Sequence, residues 1–203
     1  MSVTDNGLRN VLDIDKTSKL NVNTVILFDG DDNTFTIGKN CSIEGVHFYF
    51  KGNGHTLILK DRVGLHGGAI IFENDGNLCQ IGSGTNIYAG FQIAISEPKR
   101  KVIIGNNCLF SWSVRMRTTD SHSIWDLTTK ERINRGKDII IDDRVWLGEA
   151  LQILKGAHIQ SDSVVGTGAV VTGKTFPPNS IIAGNPAKVI KSNIYWKVAR
   201  EDI

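Results

Sequence analysis

Residues 139–175 read IIIDDRVWLGEALQILKGAHIQSDSVVGTGAVVTGKT. Within this stretch an aliphatic residue returns at every sixth position: Ile141, Leu147, Ile153, Ile159, Val165 and Val171. Two places before each stands a second residue, usually small or aliphatic: Ile139, Val145, Leu151, Ala157, Ser163 and Ala169. A spacing of six fits neither an amphipathic helix nor a plain alternating strand. It fits a short strand followed by a corner. Residues two apart share one face of a strand, so each pair points inward while Trp146 and His158 between them point out. The residues left over, such as Leu154-Lys155-Gly156 and Gly166-Thr167-Gly168, are types that tolerate turn backbone. One unit cannot bury its apolar edge alone, whereas stacked units form a continuous core.

Upstream the same inward pairs recur less regularly: Phe35/Ile37, Cys41/Ile43, Val63/Leu65, Ala69/Ile71, Cys79/Ile81, Thr85/Ile87, Phe91/Ile93, Cys108/Phe110 and Val114/Met116. Polar runs such as Glu73-Asn74-Asp75-Gly76-Asn77 interrupt the count. The expected organisation is an N-terminal cap or extension over 1–20, a repeat domain over 21–185, and a tail over 186–203. That tail reads as helical, with Val189, Ile190, Ile194, Trp196 and Val198 on its apolar side. Between Met116 and Ile139 the repeat stops for a segment, 117–138, too polar for a core and too long for a corner. Loops of this kind inside a repeat domain usually carry function. This one gathers Asp120, His122, Trp125 and Asp126.

The 203 residues suit one domain with short appendages. A net charge of +2 gives no argument for nucleic acid. No run of 18 apolar residues occurs, and the polar start Met1-Ser2-Val3-Thr4-Asp5-Asn6 lacks a signal-peptide core, so a cytoplasmic protein without a transmembrane segment is expected. Cys41, Cys79 and Cys108 lack CxxC spacing and each fills a small inward slot, which points to core packing rather than a metal or disulfide framework.

The ladder, the loop Asp120-Ser121-His122-Ser123-Ile124-Trp125-Asp126, the segment Arg144-Val145-Trp146-Leu147-Gly148 and the ending Ala183-Gly184-Asn185-Pro186-Ala187-Lys188-Val189-Ile190-Lys191 together resemble a hexapeptide-repeat acyltransferase. Within that superfamily the loop is most similar to bacterial capsule and lipopolysaccharide O-acetyltransferases. The resemblance spans about residues 30 to 191. It implies an all-β, left-handed parallel β-helix with eighteen residues per triangular coil, built as a homotrimer, against the usual right-handed crossover preference. It also implies acetyl-CoA as co-substrate, held in a groove between subunits, and transfer of the acetyl group to a sugar hydroxyl of a surface polysaccharide or its precursor.

On that footing His122 is the expected general base, since an imidazole titrates near working pH. Asp120 or Asp126 would orient it, unless Asp120 instead caps the loop. Trp146 would position donor and acceptor, with subunit packing as its other reading. The resemblance carries the donor contacts to Thr167, Thr172 and Gly173, and the phosphate contacts to Lys188 and Lys191. Gly173 stands where related chains often place Lys, with Lys174 following. Direct transfer without an acyl-enzyme is implied, so Ser121 and Ser123 are not assigned as nucleophiles. Arg115 and Arg117 flank the approach to the loop, and Arg115 points outward, to meet an acidic or phosphorylated acceptor or equally an acid of the next subunit. Eighteen-residue coils would stack Trp146 on Val164, Gln152 on Val170 and His158 on Phe176, all outward and hence interface or groove.

Three other functions compete. An N-acetyltransferase of a nucleotide-linked amino sugar would use the same base. A γ-class carbonic anhydrase needs three histidines around zinc, and His47, His66, His122 and His158 lack the close spacing it uses. A non-catalytic β-helix scaffold would have no use for the loop. No metal site is expected.

Overall fold

The computed structural model describes residues 1–199, and residues 200–203 lie outside the described residues. The chain winds as a parallel β-helix with three flat faces and three corners. Along the first face run Asn86–Ile87, Leu109–Phe110, Trp146–Leu147, Val164–Val165 and Ser180–Gly184, each parallel to the next. The second face carries Ser2–Asp5, Val25–Asp29, Phe91–Ile95, Arg115–Arg117, Gln152–Leu154 and Val170–Val171. Eight strands, from Val11–Ile14 to Thr175–Phe176, make the third. Two ten-residue strands, Ser42–Lys51 and Gly64–Glu73, continue from the first face onto the second. They round the corner at Gly45 (φ +61°) and Gly67 (φ +54°), the left-handed backbone that glycine adopts without a Cβ clash.

The inward pairs of residues 139–171 are all buried, Ser163 included. Each coil therefore adds one layer of aliphatic side chains to a single core, and truncating one such residue, Ile153 for example, would cost about 2–5 kcal/mol. Cys41, Cys79 and Cys108 are free and buried within that core. Burial raises all three thiols, Cys108 to about 11, and a thiol so raised is not a nucleophile at neutral pH.

Several details differ from the sequence reading. Residues 1–20 are not a separate cap: Ser2–Asp5, Val11–Ile14 and Lys19–Leu20 form the first coil, and Leu12, Ile14 and Leu20 pack against the core. Coils of eighteen residues occur only after the loop, as Trp146 over Val164 and Gln152 over Val170. Before it, the column Ser2, Val25, His47, Ala69, Gln92, Arg115 advances 22 or 23 residues per coil. The extra residues widen the corner between the second and third faces.

Where the long strand Gly64–Glu73 rounds its corner, the phase slips, so Ile70 and Phe72 point inward and not Ala69 and Ile71. At the other end the spacing shortens by one: Phe176 stacks on Ile159 inside, and Thr175 takes the outward place below His158. The helix expected over 186–203 is absent from the described residues. Gly184-Asn185-Pro186 reverses the chain, and Ala187–Ser192 runs as an antiparallel strand against Ser180–Gly184. This strand covers the last edge of the first face, which would otherwise offer unpaired N–H and C=O groups.

The widened corner holds a buried side-chain ladder. The backbone N–H of Asn33 donates to Asn10 Oδ1 (2.9 Å), that of His55 to Asn33 Oδ1 (2.9 Å) and that of Asn77 to His55 Nδ1 (3.2 Å). His55 Nε2 faces the Lys51 carbonyl at 3.2 Å. These partners fix one tautomer, with the proton on Nε2 and Nδ1 accepting, so the imidazole fills an asparagine's place in the column.

Candidate active site

The loop leaves the second face at Arg117 and rejoins the third at Ile139. It thus occupies the corner between those faces, with Ser96–Arg100 in the coil above and Leu154–Gly156 in the coil below. It is fastened to both. Above, the Glu97 carboxylate accepts from the Gly136 N–H (2.7 Å) and Thr119 Oγ1 (3.1 Å) and pairs with Arg132. Below, Lys155 Nζ pairs with Asp120 and donates to the Asn134 carbonyl at 2.9 Å. Burial pushes both carboxyls up, but the hydrogen bonds outweigh it: those of Gly136, Arg132 and Thr119 hold Glu97 below the usual carboxylate range, and those of Lys155 and Asn134 do so for Asp120.

Asn134 is the inner clasp of the loop and is buried. Its Nδ2 donates to Asp120 Oδ2 at 2.9 Å and to the His122 carbonyl at 2.8 Å, while its Oδ1 accepts from the Ile124 N–H at 2.7 Å. One amide therefore grips residues 120, 122 and 124 in turn. The His122 N–H donates to the Asp120 carbonyl at 2.8 Å. The backbone of His122 is held on both sides, and its side chain is exposed with no ring hydrogen bond among the described residues. Neither expected orienting carboxylate reaches it: Asp120 is committed to Lys155 and Asn134, and Asp126 to the N–H groups of Thr128 and Thr129. The Asp120 carboxylate is thus engaged by the side chains that fasten the loop.

Trp146 stands outward in the middle of the first face, between Leu109 and Val164. It is 37% exposed. Its ring lies 5.9 Å from that of Trp196, whose Nε1 donates to the Arg144 carbonyl at 2.8 Å. Leu109, both tryptophans and Val198 line a cleft of about 400 Å³. Thr167 sits at the next corner, close under Gly148: a Cβ there would meet the Thr167 backbone N at 2.9 Å, so only glycine allows the two coils to approach. Lys188 and Lys191, both exposed, lie on the reversed strand opposite Ala183 and Ile181, at the foot of the Trp146 column. Thr172 and Gly173 lie elsewhere, beneath Lys155 and Gly156 in the loop's own corner.

The expected residues therefore fall into two groups on one chain. His122, Asp120, Thr172 and Gly173 share the corner between the second and third faces. Trp146, Thr167, Lys188 and Lys191 share the first face and its following corner. In a three-sided prism that first face lies opposite the loop's corner, so one chain keeps His122 and Trp146 apart. The sequence reading missed Glu97, Arg132, Asn134 and Lys155 as loop fasteners and Trp196 as a partner of Trp146. Counting coils would have placed Glu97 and Lys155 directly above and below the loop. Nothing in the local sequence singles out Asn134. Among the described residues no three His, Cys, Asp or Glu side chains gather as a metal site, and no helix is long and apolar enough to cross a membrane.

No family model matches the chain. A polysialic acid O-acetyltransferase of Neisseria meningitidis is 39% identical over 192 residues, covering 95% of this chain and 87% of that protein. The crystal structure of the polysialic acid O-acetyltransferase OatWY superposes with a TM-score of 0.92 at 35% identity, covering 98% of this chain and 93% of that one. The polysialic-acid-specific acetyltransferase NeuO superposes with a TM-score of 0.83 at 36% identity, covering 99% and 90%. The solenoid is the left-handed β-helix of those acetyltransferases. By fold and sequence, the chain belongs to the hexapeptide-repeat O-acetyltransferases, in the polysialic acid O-acetyltransferase family.

Proposed function

We propose that the protein moves an acetyl group from acetyl-CoA to a hydroxyl of an acidic polysaccharide, in a site made by two copies of the chain within a homotrimer. The observation that carries this reading is the division of the site residues: a loop corner that fixes the backbone of His122 and leaves its imidazole free, and an opposite face bearing Trp146 over an apolar cleft. The loop tip presents Ile124, Trp125, Leu127 and Ile133 to solvent, and a neighbouring chain's outward column of Leu109, Trp146, Val164 and Ile181 gives that apolar tip a seat.

In the proposed reaction the imidazole of His122 takes the proton of the acceptor hydroxyl as the oxygen attacks the thioester carbonyl. The C–O bond forms, the tetrahedral intermediate collapses, the C–S bond breaks, and the imidazolium returns its proton to the leaving thiolate. Trp146 walls the donor side and keeps water out. Thr167, Thr172 and Gly173 offer backbone or hydroxyl contacts along the pantetheine, and Lys188 and Lys191 supply cationic charge to the nucleotide phosphates. The reaction belongs in the cytoplasm, where acetyl-CoA is made.

Thiol release from acetyl-CoA, followed with a sialic acid polymer as acceptor, tests the reading. Acceptor-dependent release is expected, falling about 10²- to 10⁴-fold in His122→Ala. Full activity in that variant, or no transfer to any acidic polymer, overturns it.

A further inference from the structure

We infer that Arg115 and Arg117, on the strand that leads into the loop, form a carboxylate-binding subsite that selects an acidic acceptor chain. The inference rests on the proposed acetyl transfer and names residues which that reading leaves without a task.

Both side chains point outward from the second face and are exposed. Residues two apart on a strand put their Cα atoms about 6.6 Å apart on one side, so the two arginines make a short cationic row on that face, Arg117 beside the cleft next to the loop and Arg115 beside a second cleft with Ser113, Ala150 and Gln152. Four other arginines have carboxylate partners: Arg9 with Asp32, Arg100 with Asp138, Arg132 with Glu97 and Arg144 with Asp162. The side chains of Arg115 and Arg117 have neither an ion pair nor a hydrogen bond among the described residues. A guanidinium kept free presents its full donor fork, which matches a carboxylate in bidentate fashion.

Location ties the row to the reaction. Arg117 lines a cleft of about 210 Å³ together with Gln92, Ser96, Thr119 and Ser121, and Ser121 is the neighbour of His122 in the chain. Glu73 also faces this cleft, where its carboxylate accepts from Ser96 Oγ at 2.7 Å. The two acids that fasten the loop, Glu97 in the coil above and Asp120 within it, are already matched by Arg132 and Lys155. Residues 115–138 hold six Lys and Arg against four Asp and Glu, a surplus equal to the net charge of the entire chain. The cationic character is thus concentrated where an acceptor would approach His122. The occupant that this chemistry fits is a sugar polymer with carboxylates on successive residues, one carboxylate held at the row while a neighbouring hydroxyl lies at the imidazole.

Initial rates with a sialic acid polymer and with its carboxyl-reduced counterpart test this, in Arg115→Gln, Arg117→Gln, the double variant and Arg62→Gln. Arg62 is exposed at a different corner and removes the same charge. Each of the two single variants should raise KM for the native polymer about tenfold, the double variant more, and the preference for native over reduced polymer should collapse. Arg62→Gln should match the wild type. The inference is overturned if the double variant keeps KM for the native polymer within about twofold, if both polymers suffer equally, or if native mass spectrometry shows that the assembly dissociates. An inactive wild type sinks the acetyl-transfer reading beneath it. An active wild type with unchanged variants sinks this inference alone.

Discussion

Asn134 Nδ2 donates to the backbone carbonyl of His122 at 2.8 Å, across twelve residues of loop. The same side chain holds Asp120 and Ile124, so the position of His122 depends on one buried amide rather than on a carboxylate at the imidazole. Replacing Asn134 by Ala should leave the solenoid folded and lower kcat by about 10²-fold, the scale expected when a catalytic group is displaced by about 1 Å. Amide hydrogen exchange should show lost protection confined to residues 118–138. Unchanged kcat would mean the loop keeps its shape without the clasp.

Glu97 and Asp120 tie the loop to the coils on either side, and both carboxyls sit below their ordinary range because hydrogen bonds outweigh the effect of burial. A carboxyl whose pKa is depressed on folding stabilises the ordered loop above its usual value, near 4, and loses that contribution as pH falls through the depressed one. Loop protection from proteolysis should therefore decline below about pH 4 while the β-sheet signal persists. Glu97→Gln, which breaks the Arg132 pair, should show the weakened loop already at pH 7.

The His55 ladder gives a second pH response in a different part of the molecule. Burial lowers the pKa of His55, so the unfolded chain binds a proton more readily than the folded one. Stability should be full above the unfolded value, about 6.5, and should fall as pH drops from there toward the folded value. Protonating Nδ1 would also remove the acceptor for the Asn77 N–H. In His55→Asn, which repeats the residue type of Asn33 and Asn77, thermal stability should stay level between pH 7 and 5. A wild-type midpoint that does not shift across that range would contradict this account.

Trp146 and Trp196 pack 5.9 Å apart over the cleft of the first face. Trp146→Ala should raise KM for acetyl-CoA about tenfold or more, since an aromatic wall of this kind contributes on the order of 1–3 kcal/mol. Trp196→Phe keeps the ring contact and loses only the hydrogen bond to the Arg144 carbonyl, so a smaller effect is expected. Equal effects would assign the site to the hydrogen bond.

The core was legible because a spacing of six leaves one buried pair per short strand, and residues 139–171 follow it without a slip. The phase errors came from backbone events with little local signature. A glycine corner carried one strand onto two faces at Gly67, and one corner lost a residue before Phe176. The tail read as a helix because its apolar residues suit either period, and only the neighbouring strand's free edge decides between them. The loop was legible from its length and composition, and His122 was singled out within it by the family resemblance. Their fastening was not, because Glu97, Asn134 and Lys155 meet only through the stacking of coils separated by 21 to 39 residues of chain.

The shared site is the central claim, and subunit complementation tests it most directly. His122→Ala, inactive or nearly so, and Trp146→Ala, weakened for the donor, are to be unfolded together, refolded as mixed trimers and assayed for acetyl transfer at acetyl-CoA below the wild-type KM, against each variant refolded alone. A site built from His122 of one chain and Trp146 of the next should recover activity at roughly a quarter of the interfaces in a random equal mixture. No recovery in mixed trimers of confirmed composition would place both residues in a site within one chain and contradict the account.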